Sequence, residues 1–175
     1  LDGAQKAVEH PRPRRLGGFL RAVAAAGEAA PLTWAVPFVN VDGVVEGDYG
    51  KDPHPWDLNR AWGRPSMRHE ALVIQQDWAR FAARCRPALL LDFHGPAGCE
   101  DDGSYFHVAK PTASPEHHRR GKEWAAALVS GLGDLASADA CRVGNYPSRW
   151  EGHDHMAKDQ AWASWGMVGL TLETS

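Results

Sequence analysis

The stretch Ala88-Leu-Leu-Leu-Asp-Phe-His94-Gly95 decides the fold of this 175-residue chain. A continuous apolar run that stops at polar residues and a glycine is the pattern of a strand buried on both faces, at the centre of a sheet. Before it, Leu72, Ile74, Trp78, Phe81 and Ala82 recur at helical spacing across residues 68–85, and Pro87 ends that helix. After it, a glycine-rich loop from Gly95 to Gly103 leads to a strand over Tyr105–Ala109. Pro115–Leu132 then reads as a helix with Trp124, Ala127 and Leu128 on one face. Residues 133–155 read as irregular, Met156–Trp165 as a short helix and Met167–Leu172 as a final strand. Upstream, polar residues 1–15 precede a helix over Gly18–Ala30, and Leu32–Val39 is short, apolar and strand-like, with Pro37 against a central place in a ladder. Residues 40–67, rich in Gly, Asp, Pro and Asn, read as a long loop ordered by Trp56, Leu58 and Trp62. Alternation of strands and helices predicts an α/β fold, with a mixed, mostly parallel central sheet and helices on both faces.

The length fits a single domain over residues 1–175. Hydrophobic content of 43% and charged content of 23% exclude a mainly disordered chain. A net charge of -3 carries no footprint for nucleic acid, and no apolar run approaches a membrane span. Neither nucleic acid nor a membrane is therefore an expected partner, and oligomeric state is not legible. Cys85, Cys99 and Cys141 read as free thiols rather than a disulfide framework, with a single bridge as the alternative. The compartment is not legible, the cytoplasm being slightly favoured.

Ligands in open α/β sheets bind at the carboxyl ends of strands. Three such ends carry polar residues here: Asn40-Val-Asp42-Gly43, Asp92-Phe-His94-Gly95 and Leu172-Glu173-Thr174-Ser175. Alone, His94 reads as a hydrogen-bonded loop histidine and Glu173 as a surface carboxylate. Together at one rim they match what a metal site with a general base needs: a neutral nitrogen ligand and a carboxylate that takes a proton from water.

These segments resemble the M14 zinc carboxypeptidase family. Asn40-Val-Asp-Gly43 resembles its N-P-D-G turn, and Asp57-Leu-Asn-Arg60 before Ala61-Trp62 resembles its D-x-N-R-x-W/F segment. Leu91-Asp-Phe-His94 resembles the strand with the third zinc ligand, and Leu170-Thr-Leu-Glu173 the strand with the catalytic glutamate. The matches occur in the family's order and span about residues 32–175. The resemblance implies His94 as a zinc ligand and Glu173 as the general base that later protonates the leaving amine. It implies Asn59 and Arg60 as the anchor of the substrate's terminal carboxylate, which a planar guanidinium fork suits. Where the family carries an oxyanion-stabilising arginine, this chain has Glu46-Gly-Asp-Tyr-Gly-Lys51, the pattern of a variant branch. Lys51 is the cation available there, and solvated loop charge is its alternative reading. The family's substrate-contacting tyrosine has no clear counterpart; Tyr146 lies in that region.

The family's first two zinc ligands come from an H-x-x-E motif, which this sequence lacks. His54-x-x-Asp57 has the spacing but lies inside the loop and reads as coincidence. The resemblance therefore implies a partial domain, with the motif upstream of Leu1 and the last helix beyond Ser175. The 175 residues alone are expected not to hold catalytic zinc and to be inactive. Among the other histidines, His153-Asp-His155 reads as a solvated loop, His117-His118-Arg-Arg120 as an exposed helix face, and His107 as a strand residue without an evident partner.

The expected function is a zinc-dependent carboxypeptidase-like hydrolase acting on an amide next to a free carboxylate. One alternative is an N-acyl amino acid deacylase of the aspartoacylase or succinylglutamate desuccinylase type. The other is a non-catalytic carboxylate-binding module, against which the presence of Glu173 weighs.

Overall fold

The computed structural model describes residues 13–47, 57–63, 68–95, 103–143 and 155–174. Chain order is helix α1 (Pro13–Ala25), a 3₁₀ turn (Gly27–Ala29), α2 (Val41–Glu46), a 3₁₀ turn (Leu58–Arg60), α3 (His69–Ala82) and strand β1 (Leu89–His94). Then come β2 (Ser104–Val108), α4 (Pro115–Leu132), a 3₁₀ turn (Gly133–Leu135), β3 (Ala136–Val143), α5 (Ala157–Trp165) and β4 (Val168–Glu173).

Among the described residues the strands form one four-stranded sheet in the order β1-β4-β2-β3. β1 pairs with β4 in parallel, β2 with β3 in parallel, and β2 with β4 antiparallel. The sheet is thus mixed and mostly parallel, as expected. Helices cover both faces. On one, α3 and α5 bury Ala71, Ile74, Trp78, Ala157 and Ala161 with Leu58, Ala61, Trp62 and Met167, and Leu90 packs against them. On the other, α4 sets Ala125, Trp124 and Leu128 against Phe106, Val108, Leu170 and Leu172.

Local chemistry explains most boundaries. Ser114 caps α4 by accepting from His117 N at 3.3 Å, and a proline opens its first turn, where a missing N–H costs nothing. Gly166 closes α5 in the left-handed conformation at φ 64°. Gly169 lets α5 lie directly on β4: a Cβ there would fall 2.3 Å from Lys158 Cα.

Several expectations are corrected. Leu32–Val39 forms no strand; among the described residues no other strand ladders with it. Residues within the expected 40–67 loop form α2, capped by Asn40 Oδ1 accepting from Gly43 N at 3.1 Å, and the turn Leu58–Arg60. The region read as irregular contains β3. The decisive apolar run is a strand, but among the described residues it lies at the sheet's edge rather than its centre, and Leu89 to Phe93 are only half-buried. His117 and His118 are not an exposed face: His117 is fully buried, and His118 Nδ1 donates to Ala109 O at 2.7 Å. No helix among the described residues is long and apolar enough to cross a membrane.

Candidate functional site

Register builds the site. β4 lies between β1 and β2, with His94 opposite Glu173 and Glu173 opposite Tyr105. Two residues back, Asp92 is opposite Thr171 and Thr171 opposite His107. Directly paired residues share a sheet face, so six side chains form two polar rows on one face. These rows lie at the carboxyl ends of the parallel pair β1 and β4.

His94 is 4% exposed and its Nε2 lies 3.0 Å from Asp92 Oδ2. That contact fixes the ring and leaves Nδ1 as the nitrogen that can ligate, the arrangement in which a carboxylate orients a metal-bound imidazole. Burial pushes the imidazole's pKa down, but the charge and hydrogen bond of Asp92, with Glu173 behind them, outweigh it and raise it to about 9. Arg60 opposes the rise through its own charge. Thr174 ties the strand ends together, donating from both N and Oγ1 to His94 O at 3.0 Å.

The turn that carries Arg60 is anchored on three sides. Asp57 Oδ1 accepts from Asn59 N at 2.8 Å, and Arg60 Nη1 donates to Asn59 O at 2.9 Å. Trp62 N donates to His155 O at 3.1 Å and Trp62 O accepts from His155 Nδ1 at 3.0 Å. Trp62 stacks on Trp78, centroids 5.0 Å apart, and Trp165 meets Trp78 edge-on at 5.7 Å. Arg60 is 7% exposed, deeper than an arginine is found without such support.

The structure therefore sets His94 beside Glu173, while Arg60 acts on His94 through its charge and Asn59 is half-buried next to Arg60 in the chain. Lys51, His54, Tyr146, His153 and Cys99 lie outside the described residues. His155 holds the turn rather than lying free in solvent. Sequence reasoning gave Asp92 no role, although the alternation Asp92-x-His94 on a strand places both on one face. It also missed Lys158, which is 4% exposed with Nζ 2.8 Å from Asp159 Oδ2. His107, on the same face as His94, is pushed down to about 4 by burial and by the charges of Lys158, His94 and Arg142.

Whether these residues fit a catalytic metal follows from the donors. A catalytic zinc takes three protein ligands. Among the described residues no group of three or more His, Cys, Asp or Glu could hold a metal ion. The described residues therefore do not complete a metal site.

The chain is similar in structure to a metallo-carboxypeptidase from Burkholderia cenocepacia, with a TM-score of 0.51 and 26% identity over 79% of this chain and 34% of that one. It is also similar in fold to a Burkholderia mallei protein named as a carboxypeptidase, with a TM-score of 0.58 and 24% identity over 87% of this chain and 38% of that one. The fold is thus the α/β fold seen in metallo-carboxypeptidases. The chain spans little more than a third of either solved chain. No protein-family model and no curated protein matches it.

Proposed function

We propose that the chain carries part of the active site of a carboxypeptidase-like hydrolase of the M14 type, which cleaves an amide next to a free carboxylate. The observation that supports this most is the side-by-side placement of His94 and Glu173 on β1 and β4, with Arg60 electrostatically coupled to the same point. In this reading Arg60 and Asn59 hold the substrate's terminal carboxylate, so that the scissile carbonyl lies over the row. Glu173 takes a proton from the attacking water as oxygen adds to the carbonyl carbon, and returns it to the amine as the C–N bond breaks. Lys51 stabilises the oxyanion as a point charge. Zinc is the metal the resemblance implies, with His94 as one of its ligands. The described residues supply no complete donor set for it.

The test compares a peptide with a free carboxyl terminus and its C-terminal amide, using the polypeptide that contains these residues together with zinc. Arg60→Ala is expected to lower kcat/KM for the free acid by about 10²-fold or more and to change the amide little. Equal loss on both substrates contradicts the anchor role. Glu173→Gln is expected to lower kcat by about 10²–10⁴-fold while the fold is retained. Faster turnover of an N-acyl amino acid than of any peptide would favour the deacylase reading.

A further inference from the structure

Along a strand the backbone groups point alternately to the two neighbouring strands. Val168 N donates to Ala88 O at 3.1 Å and Thr174 N to His94 O at 3.0 Å, so the even-numbered residues of β4 face the β1 side. Gly169, Thr171 and Glu173 face the other way. There β2 pairs His107 with Thr171 and Tyr105 with Glu173, and that ladder ends before Gly169. The imidazole of His117, 1% exposed on α4, stands in the next place. Its Nε2 lies 3.1 Å from Gly169 N and 3.2 Å from Gly169 O. The same ring stacks on Trp162 of α5, centroids 4.8 Å apart and planes within 5°. Arg120 Cζ lies 5.6 Å from the centroid of that Trp162 ring.

One nitrogen cannot serve both backbone groups of Gly169 at once. Bare, Nε2 accepts from Gly169 N; carrying a proton, it can only donate to Gly169 O. Gly169 is buried. A buried N–H without an acceptor is rarer than an under-satisfied carbonyl, so the neutral ring takes the tautomer with its proton on Nδ1. A second proton, on Nε2, sets two N–H donors 3.1 Å apart. It also brings a further cation to an indole that already has Arg120 beside it. Burial disfavours the imidazolium and holds the His117 pKa below its ordinary value. Lys158 of α5 and Arg120 of α4 act in the same sense, while Asp159 of α5 and the Gly169 backbone oppose them. β4 meets the ring with the backbone of Gly169, not with a charge.

We propose that His117 is an acid-sensitive clasp on the start of β4, which holds Gly169 N–H while Nε2 is bare and releases it when Nε2 is protonated. The strand it clasps carries Glu173 at its other end. The folded pKa lies below the unfolded value, so the clasp contributes stability fully above about pH 6.5 and loses it as the pH falls through the folded value.

The test uses NMR on the 175-residue chain. Imidazole nitrogen shifts at neutral pH are expected to show His117 with its proton on Nδ1. Amide exchange is then read as protection relative to an unstructured chain, with Leu170, which faces β1, as the internal reference. Between neutral pH and about pH 4.5, Gly169 protection is expected to fall about tenfold or more against Leu170. His117→Gln, whose side-chain oxygen accepts at the same reach and does not titrate, is expected to keep Gly169 protected across that range. His117→Phe, which keeps a ring for Trp162 but no acceptor, is expected to leave Gly169 poorly protected at every pH. A proton on Nε2 at neutral pH, or a constant Gly169-to-Leu170 ratio in the wild-type chain, overturns the proposal. So does the wild-type pH dependence persisting in His117→Gln. The wild-type measurements decide the matter even if neither variant folds.

Discussion

His94 and His107 are the same residue type on the same face of the same sheet, separated only by β4. Burial disfavours the charged form of each, yet their titration moves in opposite directions, up to about 9 for His94 and down to about 4 for His107. The difference lies in the neighbours. His94 has Asp92 at hydrogen-bond distance and Glu173 on the next strand, while His107 faces the positive charges of Lys158, His94 and Arg142. Arg142 is held there by stacking over Tyr105, Cζ 3.6 Å from the ring centroid, and by Nη2 donating to Ser137 Oγ at 2.9 Å. On this face the sign of local charge, not depth, decides which imidazole carries a proton.

The strongest way to break this contrast is Asp92→Asn. It removes the carboxylate that overcomes burial, so the His94 pKa is expected to fall below its ordinary value and join His107. The loss of stability below pH 6.5 is expected to be about 3 kcal/mol, from the difference between an ordinary histidine and one at about 9. Urea unfolding, with an imidazole NMR titration, measures both. An unchanged titration would mean that Glu173 alone holds the proton.

The pH dependence of the metal-free chain sharpens the contrast. The folded pKa of His94 lies above its unfolded value, so its contribution is full below about 6.5 and is lost as pH rises to about 9. The folded pKa of His107 lies below its unfolded value, so its contribution is full above about 6.5 and is lost as pH falls to about 4. Stability from this pair is expected to peak near pH 6.5 and fall on both sides. His107→Phe is expected to flatten the acid limb, and Asp92→Asn the alkaline limb, in unfolding midpoints measured across pH.

A smaller effect is expected from Lys158→Met. It removes one of three charges acting on His107, whose pKa is expected to rise part of the way toward its ordinary value while His94 is little changed. Equal movement of both rings in the NMR titration would show that the two environments are not separate.

How far the sequence reveals this arrangement depends on what each residue's environment is made of. β1, β2, α3 and β4 announce themselves because their core-facing positions carry large apolar residues at strand or helix spacing, and α4 through the partly buried Trp124 and Leu128. β3, Ala-Ser-Ala-Asp-Ala-Cys-Arg-Val143, does not: it is a strand because β2 pairs with it, across an irregularity between Ser104 and Phe106. The arm Leu32–Val39 errs the other way, since a strand-like pattern without a ladder partner stays irregular. His117 was hidden because the stripe it shares on α4 continues as Gly121 and Ala125, small residues that mark close packing rather than apolar bulk. Its Nε2 lies 3.1 Å from Gly169 N, beyond the end of the β2 ladder, a contact across 52 residues that no local pattern encodes.

In the candidate site, His94 and Glu173 were legible as polar residues ending apolar strands, and Asn59 and Arg60 through the four-residue segment that contains them. The register that sets His94 beside Glu173 follows only from pairing. Lys158 was invisible because its burial comes from the approach of α5 to Gly169, not from any property of lysine.

The ring stack under the Arg60 turn gives the protein an optical gauge of its own. Trp62 lies two residues beyond Arg60 and parallel to Trp78 within 10°. Two indoles so close couple their electronic transitions, and that coupling changes when one ring turns away. Any tilt of the turn that carries Arg60 is thereby recorded in the ultraviolet spectrum of the unlabelled chain.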